Sequence, residues 1–527
     1  MKSPIALLES LVDDFARLNP DVKGLQRDII TLQLRYEHEG YGFLSVALST
    51  LRDAFLLGLS ERRFTCPAGF KTTRGGTIPR LFSGMFCEVF EPISGQLKED
   101  ADIGIIKCLF QGLSLFKKTQ MTDEGSDELH LKAVAGFFST DEITRGVVIP
   151  PRESFMLSRV SSFCLPNLEN FRLDELDYKH GPGAVIEGYK ANQKWRALSD
   201  SIFNDEFRTD VYGYDLVDPL RDIEEVSQNG GNLDHRASRG IAKLITVPKN
   251  STSRRTITVE PLLRQFFQQG LNSALRESIT KCGILSNCLA LSDQSKNQQL
   301  ALIGSLTDEW STIDLKSASD LVSIELVRKV FGQSANFLNA LLDCRSTQII
   351  NGKEKAVDLC KFAGMGNATT FPVQSIVFSL LAICGILDVE GKYPSYKSVE
   401  RASRHVRVYG DDIIVRREYA HQVVIWLQRV GLQVNKKKSF LEGNFKESCG
   451  VDAYKGVDIT PVYIRYRPDD TSTDPSLIAH FVSLSNHCWL EGMYSMANKL
   501  AELVEGKLGN PLPLVKQASG GLGWHTR

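Results

Sequence analysis

Apolar and polar positions alternate with the two-residue period of β-strands in several short segments of this chain. The segment 243–260 alternates on both sides of a Pro-Lys-Asn-Ser turn, and the segment 404–416 alternates on both sides of a Gly-Asp-Asp turn. Two such runs joined by a tight turn predict a β-hairpin in each case. A third strand pattern begins at Trp310 and ends near Asp314.

Helical periodicity is strongest at the two ends of the chain. Residues 1–21 carry acidic positions inside their apolar pattern, which predicts an amphipathic helix and not a secretory signal. Residues 475–506 predict a mostly helical terminal segment. By contrast, the segment 130–235 contains many Gly and Pro turns, which predicts a loop-rich surface packed on a scaffold.

A long apolar helix is predicted to begin near Pro372, directly after a Gly-rich turn at 364–367. Its apolar stretch Val377–Leu387 is shorter than the roughly 20 residues that cross a bilayer. The pattern therefore favours a buried helix, and we expect no membrane contact. A tight turn that opens a buried helix is a common arrangement at ligand-binding sites.

A helix and a strand are predicted after the second hairpin. Residues 420–430 form an amphipathic pattern, and the strand that follows carries Lys436, Lys437 and Lys438. The segment 447–467 predicts a further hairpin. Strands paired through hairpins, with helices between them, indicate an α+β fold.

Length and charge narrow the possible functions. A chain of 527 residues is long enough for two or more lobes with a cleft between them. Its formal charge of -1 does not by itself indicate a nucleic-acid-binding protein, so local clusters of charge must be considered. The eleven cysteines include no C-x-x-C pair, which indicates reduced thiols in a cytoplasmic protein.

One local cluster of charge lies between 236 and 255, where basic residues occur without any acidic residue. Its members are Arg236, Arg239, Lys243, Lys249, Arg254 and Arg255. A solvated charged face is the commoner explanation of such a run taken alone. On a rigid hairpin, the same side chains could instead face phosphate groups.

Asp411 and Asp412 at a hairpin tip indicate a possible metal site. Adjacent carboxylates raise each other's pKa or require a counter-ion, and Mg²⁺ prefers oxygen ligands. Asp314, at the end of another strand, can supply a third acid. An Asp-Asp pair in isolation is more often a solvated turn, but here it follows a second acidic site and a basic hairpin in consistent order.

Four segments in this order resemble the sequence motifs of RNA-dependent RNA polymerases. Asp314–Asp320 (DLKSASD) resembles motif A, Gly364–Phe371 motif B, Tyr409–Asp412 (YGDD) motif C, and Pro248-Lys-Asn-Ser with Arg254 and Arg255 motif F. Together they look like the replicase catalytic subunit of single-stranded RNA bacteriophages, the levivirus family. The similarity covers about 240–465, and it departs from many viral polymerases at Ala363, where those have serine.

The resemblance implies a right-hand polymerase fold with fingers, palm and thumb, in which helices flank an antiparallel palm sheet. Residues 1–300 would form an amino-terminal region and the fingers, including the basic hairpin 243–260. Residues 301–467 would form the palm with motifs A to E. Residues 468–527 would form a helical thumb or carboxyl-terminal lobe.

The implied activity is replication of a viral RNA genome by two-metal-ion nucleotidyl transfer from NTPs, with release of pyrophosphate. The catalytic residues would be Asp314, Asp411 and Asp412. These three, with the backbone carbonyl of Leu315, would bind two Mg²⁺ ions, for which Mn²⁺ would be a substitute.

The resemblance also implies roles for residues that contact the nucleotide. Lys249, Arg254 and Arg255 would bind the triphosphate, although a strand would point the two arginines to opposite sides, so that one of them could be structural. Asp320 and Asn367 resemble the pair that recognises the 2′-hydroxyl group. The alternative for Asp320 is an acid at a helix amino terminus.

Further residues are implied in contacts with the template or in the turns near it: Gly364, Gly366, Thr370, Tyr409 and Gly410. One of Lys436, Lys437 and Lys438 could donate a proton to pyrophosphate, while solvated lysines are the expected state of at least two of them.

The resemblance implies partners as well: an RNA template and product, NTPs, host elongation factors Tu and Ts, and a small-subunit ribosomal protein, all in the cytoplasm of a bacterial host. Two other functions compete with this interpretation. A reverse transcriptase would share the palm acids but usually has an aromatic residue near Asp320. A non-catalytic RNA-binding protein is disfavoured by the near-zero net charge.

Overall fold

Residues 4–120, 126–165, 168, 172–202, 240–352 and 354–526 are described by the computed structural model of the protein. Over these residues the chain combines many helices with several small sheets, which confirms the expected α+β class. Arg236 and Arg239 of the predicted basic cluster lie outside the described residues.

The helices occur along the whole described chain. In the first part they are α1 (Pro4–Leu18), α2 (Leu25–Glu39), α3 (Leu48–Glu61), α4 (Ser83–Val89), α5 (Ile103–Ser114), α6 (Ser126–Arg145), α7 (Pro151–Cys164) and α8 (Lys194–Ile202). After residue 240 they are α9 (Leu262–Lys281), α10 (Gly283–Cys288), α11 (Ser295–Thr307), α12 (Ile324–Phe331), α13 (Ala335–Asp343), α14 (Thr370–Val389), α15 (Tyr396–Ser403), α16 (Arg417–Arg429), α17 (Pro475–Leu490) and α18 (Tyr494–Leu508).

The strands are short. They are β1 (Ile241–Asn250), β2 (Ser253–Val259), β3 (Trp310–Ile313), β4 (Leu315–Lys316), β5 (Gln348–Ile350), β6 (Val357–Asp358), β7 (Val406–Tyr409), β8 (Asp412–Arg416), β9 (Gln433–Val434), β10 (Phe445–Ser448), β11 (Val451–Tyr454), β12 (Val457–Asp458), β13 (Leu514–Lys516) and β14 (Trp524–Thr526). The described sheets have the orders β2-β1-β5-β6, β3-β8-β7, β4-β9, β10-β11-β12 and β13-β14.

The predicted hairpins are confirmed by the antiparallel pairs β1–β2, β7–β8 and β10–β11. The prediction for the lysine run was wrong in one respect. Lys436, Lys437 and Lys438 lie in a turn after β9 and not on a strand, because the Lys438 amide donates to the Asn435 carbonyl (3.0 Å) and closes the turn.

The expectation of a loop-rich segment from residue 130 was wrong for 130–164, most of which α6 and α7 occupy, and it is confirmed for 172–193, where loops, turns and short 3-10 helices predominate. The proline pair that suggested a turn begins α7, where Pro151 stands in the first turn and its missing amide donor costs nothing. Helix α6 has acidic residues in its first turn and Arg145 in its last, as the helix dipole favours.

The α14 helix lies at the centre of one hydrophobic core. It is longer than the sequence pattern indicated, and all but three of its residues are buried. Two helical stretches, 43–61 and 370–389, are long and apolar enough to cross a membrane by length and composition alone. The second is buried almost throughout, as a core helix is.

A second hydrophobic core joins the two ends of the chain. Helices α1 to α5 pack there with α17, α18 and residues of the β10–β11 hairpin. The Asp14 carboxylate accepts the amides of Ser495 and Met496 at the start of α18, at 2.9 Å each. The division into fingers, palm and thumb stays a prediction.

Candidate active site

The acidic residues of interest lie at one edge of the three-stranded sheet. Strand β8 is the middle strand, and β3 pairs with it antiparallel so that Ile313 faces Ile413. Asp314 therefore follows β3 at the edge where the β7–β8 turn carries Asp411 and Asp412. Two neighbouring strands that end at the same edge thus bring residues nearly 100 positions apart together.

Asp314 and Asp411 line one cavity of about 650 Å³, which we call the central cavity. Leu315, Asp320, Lys249, Arg254, Arg255 and Lys438 also line it. The cavity thus contains acidic and basic side chains from four separate parts of the chain. Such a mixture of charges can bind a metal ion and a polyphosphate side by side.

Asp314 is held by the segment that follows β9. Its carboxylate accepts a hydrogen bond from the Asn435 side chain (2.7 Å), and its amide donates to the Ser439 hydroxyl (3.0 Å). Burial raises the pKa of Asp314, while the nearby Lys438 charge lowers it. The Asp314 carboxylate is therefore held in one orientation, with the positive charge of Lys438 nearby.

Asp412 faces a different environment from Asp411. Burial and the Asp411 charge raise the pKa of Asp412 to about 7, and hydrogen bonds with Cys449 act in the opposite direction. Glu447 on β10 is close enough to raise the pKa of both Asp412 and Asp314. Glu447 is a neighbour of the site that sequence reasoning missed, because nothing in its local pattern marks it.

The predicted metal ligands do not all face one point in the structure. Within the described ranges, no group of three His, Cys, Asp or Glu side chains is spaced to hold one metal ion. The structure brings Asp314 and Asp411 into the same cavity, and it places the Asp412 side chain against Cys449. Leu315 also lines the cavity and belongs to β4, where it pairs with Val434.

The basic hairpin β1–β2 carries the predicted phosphate ligands. Both Arg254 and Arg255 line the central cavity, but their surroundings differ. The Arg254 guanidinium donates to the hydroxyl (2.7 Å) and to the carbonyl (2.9 Å) of Thr246 on the opposite strand. Arg255 is exposed, and its side chain forms no ion pair or hydrogen bond with the residues that the structure describes. Arg254 therefore braces the hairpin, while Arg255 extends into the cavity.

Lys249 and Lys438 add positive charge beside the aspartates. Burial, together with the Arg255 and Lys438 charges, lowers the pKa of Lys249, while Asp314 and Asp411 raise it. Of the three consecutive lysines, Lys438 is the one that lines the cavity. Lys436 and Lys437 are exposed.

Asp320 lines the central cavity and forms an ion pair with Lys361 (3.1 Å). The Lys361 side chain is fully buried, and its ammonium group also donates to the Phe137 carbonyl on α6 (3.1 Å). Helix α12 begins four residues after Asp320 and is capped by Ser323, so the alternative of a helix-terminal acid was wrong. Lys361 was not singled out by any sequence pattern.

The glycine turn (Gly364–Asn367) packs against β2 of the basic hairpin. The Thr258 amide donates to the Met365 carbonyl at 2.6 Å. Gly366 has a φ of 129°, and a Cβ there would lie 1.8 Å from the Thr258 carbonyl oxygen. A Cβ at Gly364 would lie 2.4 Å from the Thr258 methyl group. Close packing against Thr258, with its carbonyl oxygen beside Gly366 and its methyl group beside Gly364, therefore explains both glycines.

The polar residues of this turn bind its own backbone. The Asn367 side chain is buried, and its carbonyl oxygen accepts the Thr369 amide (2.8 Å) and hydroxyl (2.7 Å). The Thr370 hydroxyl donates to the Gly364 carbonyl (2.9 Å). These contacts stabilise the start of α14.

The tip of the aspartate hairpin (β7–β8) rests on the same helix. The Gly410 amide donates to the Ser375 hydroxyl (3.0 Å). The rings of Tyr409 and Phe371 pack edge to face, with their centroids 5.2 Å apart. Gly410 has a φ of 64°, as the first central residue of a two-residue hairpin turn often requires. Helix α14 thus supports both the glycine turn and the acidic tip.

Helix α6 forms a wall of the central cavity that was missed from the sequence. Gly136, Phe137 and Thr140 are among its lining residues. The Asp141 carboxylate on the same helix accepts the amides of Cys360 and Lys361, at distances from 2.8 to 3.1 Å. The acidic first turn and basic last turn of α6 were the signals that could have revealed it.

Part of this chain is similar in sequence to bacteriophage proteins. A family model described as RNA replicase, beta-chain, matches residues 221–495. The RNA-directed RNA polymerase subunit beta of Enterobacteria phage SP is 37% identical over 242 residues, which are 46% of this chain and 38% of that protein. The subunit of the same name from Escherichia virus Qbeta is 38% identical over 227 residues, 43% of this chain and 35% of that protein.

A third relative is more distant in identity. The RNA-directed RNA polymerase beta chain of Escherichia phage MS2 is 34% identical over 229 residues, 43% of this chain and 38% of that protein. The chain thus matches less than two fifths of the length of each of these relatives. The family match includes both hairpins and every lining residue of the central cavity except those on α6.

Proposed function

The chain belongs to the RNA replicase, beta-chain, family, and on this basis we propose that it is an RNA-directed RNA polymerase that replicates a viral RNA genome. It would add nucleotides from NTPs to a growing RNA strand and release pyrophosphate. One observation carries the proposal beyond family membership: Asp314 and Asp411, from neighbouring strands, share a cavity with Lys249 and Arg255.

The donor atoms in the central cavity suit Mg²⁺, which prefers oxygen ligands. We propose Asp314 and Asp411 as ligands shared by two ions, Asp412 as a ligand through water, and the Leu315 carbonyl as an additional ligand. Burial raises the pKa of both Asp314 and Asp412, as is typical of carboxylates whose charge a bound cation would stabilise. When bound, two Mg²⁺ ions, or Mn²⁺ in their place, would supply charge stabilisation at the attacking and leaving oxygens.

The protein's own cations would bind the triphosphate. Arg255 is exposed to the cavity, and Lys249 and Lys438 flank the aspartates, so these three side chains can neutralise phosphate charge. Arg254 would act indirectly by fixing the hairpin through Thr246. Lys438 is the lysine of its run that could donate its Nζ proton to the leaving pyrophosphate.

Selection of ribonucleotides would depend on Asp320. Its carboxylate lines the cavity, and the buried Lys361 ammonium holds it in place. A carboxylate fixed in this way can accept a hydrogen bond from a 2′-hydroxyl group, and a deoxynucleotide would leave it unpaired. Asn367 would contribute by holding the glycine turn, because its side-chain oxygen already accepts two hydrogen bonds there.

A strand-extension assay tests the proposed activity. The purified protein is incubated with Mg²⁺, an RNA template and the four NTPs, and product length and released pyrophosphate are measured. We expect RNA synthesis with ribonucleotides only. Synthesis with deoxynucleotides would indicate a reverse transcriptase, and RNA binding without synthesis, unchanged in Asp411→Asn, would indicate a non-catalytic RNA-binding protein.

Host proteins are part of the proposal, since the family resemblance implies elongation factors Tu and Ts and a small-subunit ribosomal protein as partners in the bacterial cytoplasm. The extension assay is therefore run with and without these three proteins. Activity that appears only on their addition, together with co-purification, would support the assembly. Full activity of the chain alone would contradict a requirement for them.

A further inference from the structure

A second cavity, of about 790 Å³, lies between α2 and the segment 69–83, and we call it the amino-terminal pocket. It shares no lining residue with the central cavity. Its floor includes the Gly-rich segment around Lys71 and Arg74, to which neither the family match nor the proposed activity assigns a role.

The amino-terminal pocket is strongly basic. Its lining includes the cations Arg27, Arg35, Lys71, Arg74 and Arg80, and the single carboxylate of Glu39. That carboxylate is already bound by the Arg35 guanidinium through two hydrogen bonds, of 2.6 and 2.8 Å. The buried Asp28 carboxylate behind the lining pairs with Arg27 at 3.5 Å, so the five cations exceed the two carboxylates by three charges, which favours an anionic ligand.

Several of these cations are fixed in position by the fold. Arg27 donates to the Ser83 hydroxyl (2.9 Å), and Arg80 donates to the Thr72 carbonyl (3.0 Å). The Arg35 guanidinium lies 4.7 Å from the centre of the Phe70 ring. A guanidinium that is already oriented loses less conformational entropy when it binds a phosphate.

Lys71 and Arg74 complete the pocket from the exposed side. Neither forms an ion pair or a side-chain hydrogen bond with the described residues, and both are exposed. Their charges are therefore available to a ligand. Both side chains can also be removed without breaking a contact in the folded protein, which makes them suitable for a test.

The pocket also has an apolar side. The Leu34 side chain on α2 is 51% exposed, and the Phe70 ring is partly exposed at the opposite wall. Proteins that bind single-stranded nucleic acids combine a basic groove with apolar or aromatic surfaces against which bases pack. An acidic protein segment would use the cations but would not need this apolar surface.

We propose that the amino-terminal pocket binds the sugar–phosphate backbone of single-stranded RNA and holds a strand outside the central cavity. Guanidinium groups donate pairs of hydrogen bonds to phosphate oxygens, and the volume admits more than one phosphate group. The statement that this RNA is a strand used or made by the central cavity rests on the proposed polymerase function. The binding itself does not, since it requires no catalysis.

The test is a binding measurement on the full chain with the double variant Lys71→Ala/Arg74→Ala. Fluorescence anisotropy with a labelled single-stranded RNA of about 20 nucleotides gives the affinity over a range of salt concentrations. Each lost phosphate contact lowers the slope of log affinity against log salt by about 0.7, so we expect a decrease of about 1.4. At 0.1 M salt this corresponds to roughly 25-fold weaker binding.

The matched control is Lys397→Ala/Lys516→Ala, which removes two exposed cations outside both cavities. We expect its salt slope to equal that of the unsubstituted chain. An equal loss in both double variants, or no loss in either, would overturn the proposal. In both cases the polymerase assignment would be untouched, because extension is measured separately.

Competition and crosslinking identify the ligand class. RNA carrying 4-thiouridine should crosslink under ultraviolet light to the peptide that contains Phe70, and the crosslink should decrease in Lys71→Ala/Arg74→Ala. Prevention of this crosslink by ATP at concentrations that fill the central cavity would identify a nucleotide pocket and contradict the proposal. Tight binding of polyglutamate that depends on Lys71 and Arg74, without an effect on RNA, would instead indicate an acidic protein partner.

Discussion

The central cavity and the amino-terminal pocket both present clustered cations, but only the central cavity also presents carboxylates that lack an arginine partner. Asp314 and Asp411 lie there beside Lys249, whereas Glu39 in the amino-terminal pocket is bound by Arg35. Opposite charges that stay separate can hold a metal ion and a phosphate together, which is a requirement of phosphoryl transfer. The amino-terminal pocket can bind an anion, but its one lining carboxylate is bound by Arg35 and is not available to a metal ion.

The two sites also differ in how the chain builds them. The amino-terminal pocket draws on residues 27–83 alone, while the central cavity draws on positions from 133 to 438. The central cavity therefore depends on strand register and on buried contacts between distant segments. Substitutions in those contacts should alter the central cavity and leave the amino-terminal pocket intact.

The largest expected effect follows Asp411→Asn. Loss of this carboxylate should decrease RNA synthesis at least about a thousandfold, because metal and phosphate charge would no longer be balanced. The measurement is the single-turnover rate of nucleotide addition. RNA binding at the amino-terminal pocket should be unchanged.

The stability of Asp411→Asn provides its control. The Asp411 charge contributes to the raised pKa of Asp412, so its removal should lower that pKa. An acid whose pKa is higher in the folded than in the unfolded state lowers the stability of the protein as the pH rises toward about 7. Without metal at pH 8, the melting temperature should therefore equal or exceed that of the unsubstituted chain. A lower value would mean that the loss of activity came from unfolding.

Lys361→Met tests the buried support of Asp320. Removal of one partner of a buried ion pair costs about 3 kcal/mol of stability, because the other charge remains without a partner. We also expect the preference for ribonucleotides over deoxynucleotides to decrease about tenfold. Urea unfolding and the ratio of kcat/KM for UTP and dTTP measure the two effects.

A second buried lysine pairs with an aspartate elsewhere in the protein. Lys446 is fully buried and pairs with Asp308 at 3.3 Å, and neither residue lines the central cavity. Lys446→Met should cost less stability than Lys361→Met, because Asp308 keeps Arg417 as a partner, and it should not change the sugar preference. Equal changes of preference in both variants would show that Lys361 has no specific role in positioning Asp320.

Gly366→Ala tests the contact between the glycine turn and the basic hairpin. An added Cβ would lie 1.8 Å from the Thr258 carbonyl oxygen, at a φ of 129°. We expect a loss of about 2 to 4 kcal/mol in the free energy of unfolding. Gly391→Ala is the control, since its φ is also positive but no atom lies within 4 Å of an added Cβ. Its cost should be only about 1 kcal/mol.

The smallest expected effects distinguish the two arginines of the basic hairpin. Arg255→Ala should raise the KM for NTPs about tenfold and leave stability unchanged, because Arg255 has only the ligand to bind. Arg254→Ala should instead cost about 1 to 2 kcal/mol of stability, because Thr246 loses two donated hydrogen bonds. Steady-state kinetics and urea unfolding of both variants measure this. The reverse result would exchange the two roles.

Several features of the fold could be predicted because their causes are local. The β1–β2 and β7–β8 hairpins follow from alternating residues around a short turn, and both are present. Gly410 at the first central position fixes the turn that presents Asp411. The start of α14 near Pro372 was likewise visible, although its full length was not.

Other features could not be predicted because they depend on packing between distant segments. The buried partner of Asp320, Lys361, lies 41 positions away, and its other contact is on α6. The wall formed by α6 was missed because its Gly and Pro neighbours were interpreted as loops. The difference between Arg254 and Arg255 depended on which guanidinium meets Thr246 across the hairpin.

The sequence alone determined the kinds of chemistry available to this protein: paired aspartates at a hairpin tip, a third aspartate after a strand, and a basic hairpin, in the order of a polymerase. The tertiary structure alone decided which side chains meet in one cavity and which are already hydrogen-bonded or ion-paired to neighbouring residues. The physical reason is range. Turn geometry and strand alternation depend on adjacent residues, whereas burial, ion pairing and the shape of a cavity depend on segments that only the folded chain brings into contact.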